Sequence, residues 1–351
     1  GMEAMTSKHL GRQTVRLGSP VSVLSYANIG GKQEAQGPLA GYFDELNQDA
    51  YFGQKSWEKG ESAMQQFALR RAMEKGGLIP EDLDYVLAGD LLNQCIGSSF
   101  SLRNRGVPTL GLYGACSTMA ESLLLAAMSV SGGYARTALA MTSSHFASSE
   151  RQYRFPLGYG GQRTPTSQWT VTGAGAVLLG GGECGIRITA ATIGSIVDRG
   201  ICDANNMGAA MAPAAFATLR AHFDDLHCAP EDYDAIVTGD LGKLGSELLH
   251  GLLEKDGIRA DVQDCGVMIF DAQRQDVHCG GSGCGCSASV LCGPLLSRME
   301  RGELRRLLFC LGWLPGIAAY LFILRSTLIA LPTTFMYLFW PAVCGTAALL
   351  L

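Results

Sequence analysis

The sequence predicts an α/β protein made of two similar halves, on three observations. One pattern occurs twice, as "IPEDLDYVLAGDLL" at 79–92 and "APEDYDAIVTGDLG" at 229–242. Each copy is followed by Gly/Ala-Cys-Ser ahead of a helix-like segment, in "GACSTMAES" and again in "GCGCSASVL". Between these points short apolar runs alternate with amphipathic ones, the pattern of sheets layered with helices. Two motifs repeated in one order point to an internal duplication. Two sheets sharing central helices would give five layers, αβαβα.

The elements follow in order. In each copy of the repeat a Pro-Glu-Asp turn leads into a short buried strand, "YVLA" or "AIVT", and a Gly-Asp turn follows at its carboxyl end. In open α/β sheets that end is where ligands bind. Apolar residues at three- and four-residue spacing predict helices over "SAMQQFALRRAMEKGG" (62–77) and "AAFATLRAHFDDL" (214–226). The run Met119 to Met128 reads as a helix, and "ARTALAMTSS" (135–144) and "GAGAVLLGG" (173–181) as strands. "IRITAATIGS" (186–195) reads as the strand opening the second half. The expected domains are a first half at 1–183, a second half at 184–308 and an apolar tail at 309–351.

At 351 residues and 47% hydrophobic, the chain can bury a large core. A net charge of −5 speaks against a nucleic-acid binder, which would carry a basic face. Twelve cysteines are too dilute for a disulfide scaffold. The polar opening "GMEAMTSKHLGRQTVRLGSP" lacks a signal-peptide pattern, so the body reads as cytosolic with reduced thiols. Cys279, Cys284 and Cys286 lack knuckle spacing and a matching second pair, and no metal is expected. "VTGAGAV" lacks the dinucleotide spacing, so no cofactor is expected either.

Cys116 is the sharpest candidate for chemistry. It stands before a helix, where unpaired N–H groups favour a thiolate or a bound anion. The bland alternative is a small thiol packed in a turn. Ser144 and His145 end the strand "AMTSS", and "ERQYR" then offers Arg151 and Arg154. These form either one wall of a pocket or a solvated loop. Asp90 and Asn93 lie on the turn after the first-half strand. There a carboxylate could orient a ligand or meet a cation, although Gly-Asp turns also form for local reasons, as the repeat at Asp240 suggests. His222, His227 and His250 read as solvated faces, while His278 precedes the Gly-rich turn and could approach the pocket.

Taken together, "LAGDLLNQ", "GACSTMAE", "TSSH…ERQYRFPLGYGGQ", "VTGAGAV", "MGAAMAPAA", "TGDLG" and "GGSGCGCSA" closely resemble the stage V sporulation protein AD family, thiolase-like proteins of spore-forming Firmicutes. The match runs in order from about residue 11 to about residue 308. The resemblance implies a thiolase-like fold of two pseudo-twofold-related halves with the pocket between them. It implies a binding role for pyridine-2,6-dicarboxylate (dipicolinic acid), alone or as its calcium chelate, during uptake into the developing spore. For such a ligand the donors would be Cys116, Ser144, His145, Arg151, Arg154 and Asn93, with Asp90 nearby. It also implies a homodimer, a peripheral place on the cytoplasmic face of the spore inner membrane, membrane-bound stage V sporulation partners, and a link to germination.

Enzymes of that fold use a cysteine at the position of Cys116 with partners from the second half: a histidine and an asparagine, two histidines, or a histidine and a second cysteine. "VTGDLG" and "GGSGCGCSAS" contain no histidine and no asparagine. Without base and oxyanion donor, acyl transfer loses terms each worth about 10²-fold or more, so the expectation is a non-catalytic site. The alternative is a thiolase- or ketoacyl-synthase-like acyltransferase using Cys116.

The tail departs from the family pattern at about Cys310. From Leu307 to Leu351 only Arg325 is charged. Either it is a membrane hairpin that makes the protein integral, or it is an aberrant end that leaves the second sheet short of strands. The loss of pattern in mid-strand favours the aberrant end.

Overall fold

The computed structural model describes residues 8–153, 163–203 and 205–311. The apolar tail from 312 onward and Arg154 lie outside the described residues. In chain order the elements of the first half are β1 (His9–Leu10), β2 (Thr14–Gly30), β3 (Glu45–Leu46), α1 (Trp57–Gly76), β4 (Tyr85–Asp90), α2 (Ile96–Leu102), β5 (Thr109–Gly111), α3 (Thr118–Ser131), β6 (Thr137–Ser144), α4 (Phe146–Tyr153), β7 (Trp169–Thr170) and β8 (Gly173–Gly181). There follow β9 (Arg187–Thr192), α5 (Met207–Leu226), β10 (Ala235–Thr238), α6 (Gly242–Lys255), β11 (Val262–Asp264), α7 (Cys265–Met268), β12 (Gly281–Ser282), α8 (Cys284–Val290), α9 (Leu296–Glu300) and β13 (Leu307–Cys310).

The larger sheet runs β1-β2-β8-β6-β4-β5, with β3 and β9 also on β2. Strands β6, β4 and β5 are parallel, and β8 lies antiparallel between β2 and β6. A second, wholly parallel sheet is β11-β10-β13. Strand β9, expected to open the second half, is hydrogen-bonded antiparallel to β2 in the larger sheet. The reason is the length of β2, whose 17 residues outrun its pairing with β8 over Val21–Gly30 and offer a second edge.

Three clusters fill the layers. Helix α1 packs Met64, Ala68 and Ala72 onto Val86, Leu139 and Leu178 on one face of the larger sheet. On its other face α3 and α8 bury Met119, Ala126, Cys286 and Val290 against Leu87, Ala140 and Val177. The same cluster includes Ala235 and Val237 of β10, so these helices sit between the two sheets. Ile236, pointing the opposite way along the strand, packs with Met211, Leu219 and Leu249 of α5 and α6. The order is helix, sheet, helices, sheet, helices. Helices α5 and α6 approach closely because Gly208 and Gly245 face each other. A β-carbon on Gly208 would stand 2.4 Å from the Leu241 carbonyl oxygen.

The repeat is a structural one. Both Pro-Glu-Asp turns are single 3₁₀ turns, Pro80–Asp82 and Pro230–Asp232. In each, the aspartate accepts from the backbone N–H three residues back, Ile79 to Asp82 and Ala229 to Asp232, at 2.9 Å. The next aspartate anchors the neighbouring strand: Asp84 holds Arg136 before β6, and Asp234 holds the N–H groups of Arg305 and Arg306 before β13. No helix among the described residues is long and apolar enough to cross a membrane.

Candidate functional site

The candidate residues gather at the carboxyl ends of the parallel strands, where such sheets open. Asp90 ends β4, Ser144 ends β6, and Asp240 follows β10 by two residues. Cys116 sits in the turn Ala115–Ser117 that leads into α3, as its position before a helix suggested. That turn is tied locally: Thr118 Oγ1 accepts from Gly114 N–H (3.2 Å) and donates to the Ala115 carbonyl (2.7 Å). Ala115 has φ of +48°, a left-handed conformation that L-residues avoid, and it turns the backbone just before Cys116.

Cys116 is buried, with the Asp240 carboxylate beside its thiol. Burial, with the Asp240 charge beside it, pushes the thiol well above its usual range, so the sulfur stays protonated. Asp240 accepts from Gly283 N–H (2.8 Å) and Ser282 Oγ (3.4 Å), and burial raises its own carboxyl. The amino end of α3 therefore faces a carboxylate. Leu91, Ala115, Cys284 and Tyr153 form a small apolar cluster beside it. The Tyr153 hydroxyl donates to the Leu91 carbonyl and lies 3.0 Å from the Tyr113 hydroxyl. Burial raises both phenols.

The other expected contacts are spent elsewhere. His145 is buried, its Nε2 is 2.7 Å from the Ala50 carbonyl, and its Nδ1 accepts from Ala147 N–H (3.1 Å) and Ser148 N–H (3.4 Å). The ring is a cap on α4, with both nitrogens engaged, and burial lowers its pKa so that it is neutral. Ser144 Oγ donates to the Val171 carbonyl (2.6 Å) and accepts from Gly285 N–H (3.1 Å), tying β6 to α8. Arg151 pairs with Glu58 and lies over Trp57 on α1. Asp90 accepts from Leu92 N–H (2.9 Å), Ser98 N–H (2.7 Å) and Ser98 Oγ (2.6 Å), which is the local turn reading. Asn93 is exposed, and its N–H donates to Gln152 (3.2 Å). Arg154 lies outside the described residues.

His222, read as a solvated face, is instead buried between Thr192 and Tyr233, 2.7 Å from each hydroxyl, because α5 packs that face inward. His278 stands 3.4 Å from Asp276. Among the described residues no three His, Cys, Asp or Glu side chains converge to hold a metal ion.

Asp240 and Tyr153 are the site residues that the sequence does not single out. The signal available for Asp240 is the repeat, since its Gly-Asp follows a parallel strand as Gly89-Asp90 closes β4.

The architecture is that of the thiolase-like condensing enzymes. 3-Oxoacyl-(acyl carrier protein) synthase III from Xanthomonas oryzae superposes with a TM-score of 0.57 at 16% identity, covering 84% of this chain and 96% of that one. OleA of Xanthomonas campestris with cerulenin bound gives 0.57 at 16% over 85% and 96%, and the Aquifex aeolicus synthase III gives 0.51 at 14% over 83% and 95%. Within that fold class the match becomes specific. The model of the stage V sporulation protein AD family covers residues 11–313. Stage V sporulation protein AD of Bacillus subtilis is 42% identical over 301 residues, 85% of this chain and 89% of that protein. The chain belongs to the stage V sporulation protein AD family, and its role lies in sporulation.

Proposed function

We propose that this chain is a non-catalytic binding protein for pyridine-2,6-dicarboxylate, free or as its calcium chelate. It would support uptake of this ligand into the developing spore. It would act peripherally at the cytoplasmic face of the spore inner membrane, with membrane-bound stage V sporulation partners. Family membership supports the setting. The Asp240 carboxylate buried beside Cys116 carries the non-catalytic reading. A negative charge there disfavours the thiolate and holds the thiol in its unreactive, protonated form.

The strained Ala115 favours a second reading, because it presents Cys116 at a helix amino end as a nucleophile would be presented. Incubation with acyl-CoA followed by intact mass measurement separates the two. The binding protein stays unmodified, whereas acylation of Cys116 with turnover would establish the acyltransferase.

Isothermal titration with dipicolinate should show binding. Asp240→Asn removes a negative charge from the site, so it should tighten the free dianion and weaken the calcium chelate, each by about tenfold, or 1.4 kcal/mol. Absence of heat with either form removes the ligand assignment.

The proposed homodimer would pair β5 with its own copy. This strand ends the larger sheet, and Thr109, Leu110 and Gly111 are all exposed, with Ile96 and Phe100 of α2 exposed nearby. Leu110→Asp should then convert a dimer to a monomer by light scattering. An unchanged mass would exclude this edge.

A further inference from the structure

Behind the candidate site, α1 turns two polar side chains inward, and they head a buried network. Glu61 and Gln65 are fully buried. Gln65 Nε2 donates to Ser143 Oγ (2.8 Å) and Ser98 Oγ (3.1 Å), and Ser98 Oγ donates to Asp90 (2.6 Å). Ser143 Oγ donates to Glu61 Oε1 (2.9 Å). Ser148 Oγ lies 2.8 Å from Glu61 Oε2 and 3.3 Å from the His145 carbonyl. The chain of bonds thus ends in a carboxyl on each side.

The two carboxyls are served unequally. Asp90 receives two backbone N–H groups and a hydroxyl, which offset in part the burial that raises its carboxyl. Glu61 meets two hydroxyls, and that of Ser148 has a second acceptor within reach. The titratable groups that act on Glu61 are Glu58 on α1, Asp90 on β4 and Cys284 on α8, and α4, which packs on α1, carries Glu150 and Arg151 with His145 just ahead of it. His145 is neutral, and Arg151 is committed to Glu58. Burial first, then the Asp90 charge, pushes the Glu61 carboxyl up to about 8.

We propose that Glu61 is a proton-linked positioning residue for the site. Its neutral carboxyl donates from Oε2 to Ser148 Oγ, which turns the Ser148 hydroxyl onto the His145 carbonyl and seats α4, the helix that carries Tyr153. When Glu61 ionises, its proton leaves to solvent and the Ser148 hydroxyl turns to the carboxylate. The His145 carbonyl then keeps only the Ser149 N–H (3.0 Å). The amino end of α4 loosens, and the Tyr153 hydroxyl loses its fixed place against Leu91 and Tyr113. A carboxyl protonated in the native state but ionised in the unfolded chain makes folding weaken as pH rises, by about tenfold in the unfolding constant per unit until its native pKa is passed.

The test compares wild type with Glu61→Gln, the isostere of the neutral acid. Near-ultraviolet circular dichroism of the tyrosines is followed from pH 6 to 9, and urea unfolding from pH 5 to 8. Glu34 and Asp264, buried carboxyls also pushed up to about 7, titrate in both proteins, so the difference between the two is read. The wild type should show a one-proton tyrosine change that the variant lacks. The variant's unfolding constant should rise less steeply by about tenfold per pH unit. An identical tyrosine change in Glu61→Gln overturns the proposal. If that variant does not fold, Ser148→Ala serves: at pH 6 it should give the tyrosine signal that wild type shows at pH 9. A wild-type signal and pH response in Ser148→Ala would equally overturn it.

Discussion

Asp264→Ala should lower the unfolding free energy by about 3–6 kcal/mol, because one carboxylate satisfies four donors, three of them in buried bonds. Its oxygens accept from Thr238 Oγ1 (2.7 Å), Leu241 N–H (2.9 Å), Gly242 N–H (2.9 Å) and Val267 N–H (3.2 Å). Thr238 also reaches the Gln263 carbonyl at 3.1 Å, whereas the three amides are held by Asp264. Each stranded N–H costs about 1–3 kcal/mol, a large part of the 5–15 kcal/mol typical of whole domains. Three segments come loose together: the end of β10, the start of α6 and the first turn of α7. Asp240 lies on the first of these, so the same substitution should also displace the carboxylate from Cys116. Urea denaturation checks the first effect, and a loss below 1 kcal/mol would mean that water replaces the carboxylate. The rate of alkylation of Cys116 checks the second, since a thiol released from Asp240 and opened to solvent should react faster.

Gly285→Ala is the second large effect. A β-carbon there would stand 2.4 Å from Ser144 Oγ, 2.6 Å from the Gly173 carbonyl oxygen and 2.7 Å from the Ser144 nitrogen. Two of the three obstacles are backbone atoms, so relief requires moving α8 away from β6 and β8. Overpacking of this kind costs about 1–3 kcal/mol, and here the Gly285-to-Ser144 hydrogen bond is lost as well, placing the result at about 3 kcal/mol or above. Gly251→Ala on the exposed face of α6 is the control. No atom lies within 4 Å of its new β-carbon, and it should stabilise by up to about 1 kcal/mol. Equal melting temperatures for the two variants would refute the close approach of α8 to the first half.

The fold was legible because its signals are local and repeated. The strand "GAGAVLLGG" begins and ends where its glycines bound the apolar run, and the Pro-Glu-Asp turns are fixed by contacts within four residues. The helix expected over Met119–Met128 extends one residue further at its start and three at its end. The strand in "IRITAATIGS" is local, but its place in a sheet is not, since its partner β2 lies more than 160 residues earlier in the chain. The site was legible only in part. Cys116 has a local signature, a small-residue turn before a helix. The direction in which a side chain turns has none: His145 looked like a donor to a ligand and proves to be a helix cap. Glu61 stands one residue ahead of the helix predicted over 62–77 and Gln65 within it, and nothing in the sequence singles out either. What buries them is serines from β6, α2 and α4, which no spacing within α1 reveals.

The two Gly-Asp-Leu turns began as one sequence pattern, and the structure has divided their labour. Asp90 closes on its own half, bound to the residues that follow it, while Asp240 reaches across to a glycine and a cysteine from other segments. A change at the first position is therefore felt within one turn and the helix after it, and a change at the second in the surroundings of Cys116. One repeated turn thus serves two ends: the first copy fastens the chain to itself, and the second sets the charge beside a buried thiol.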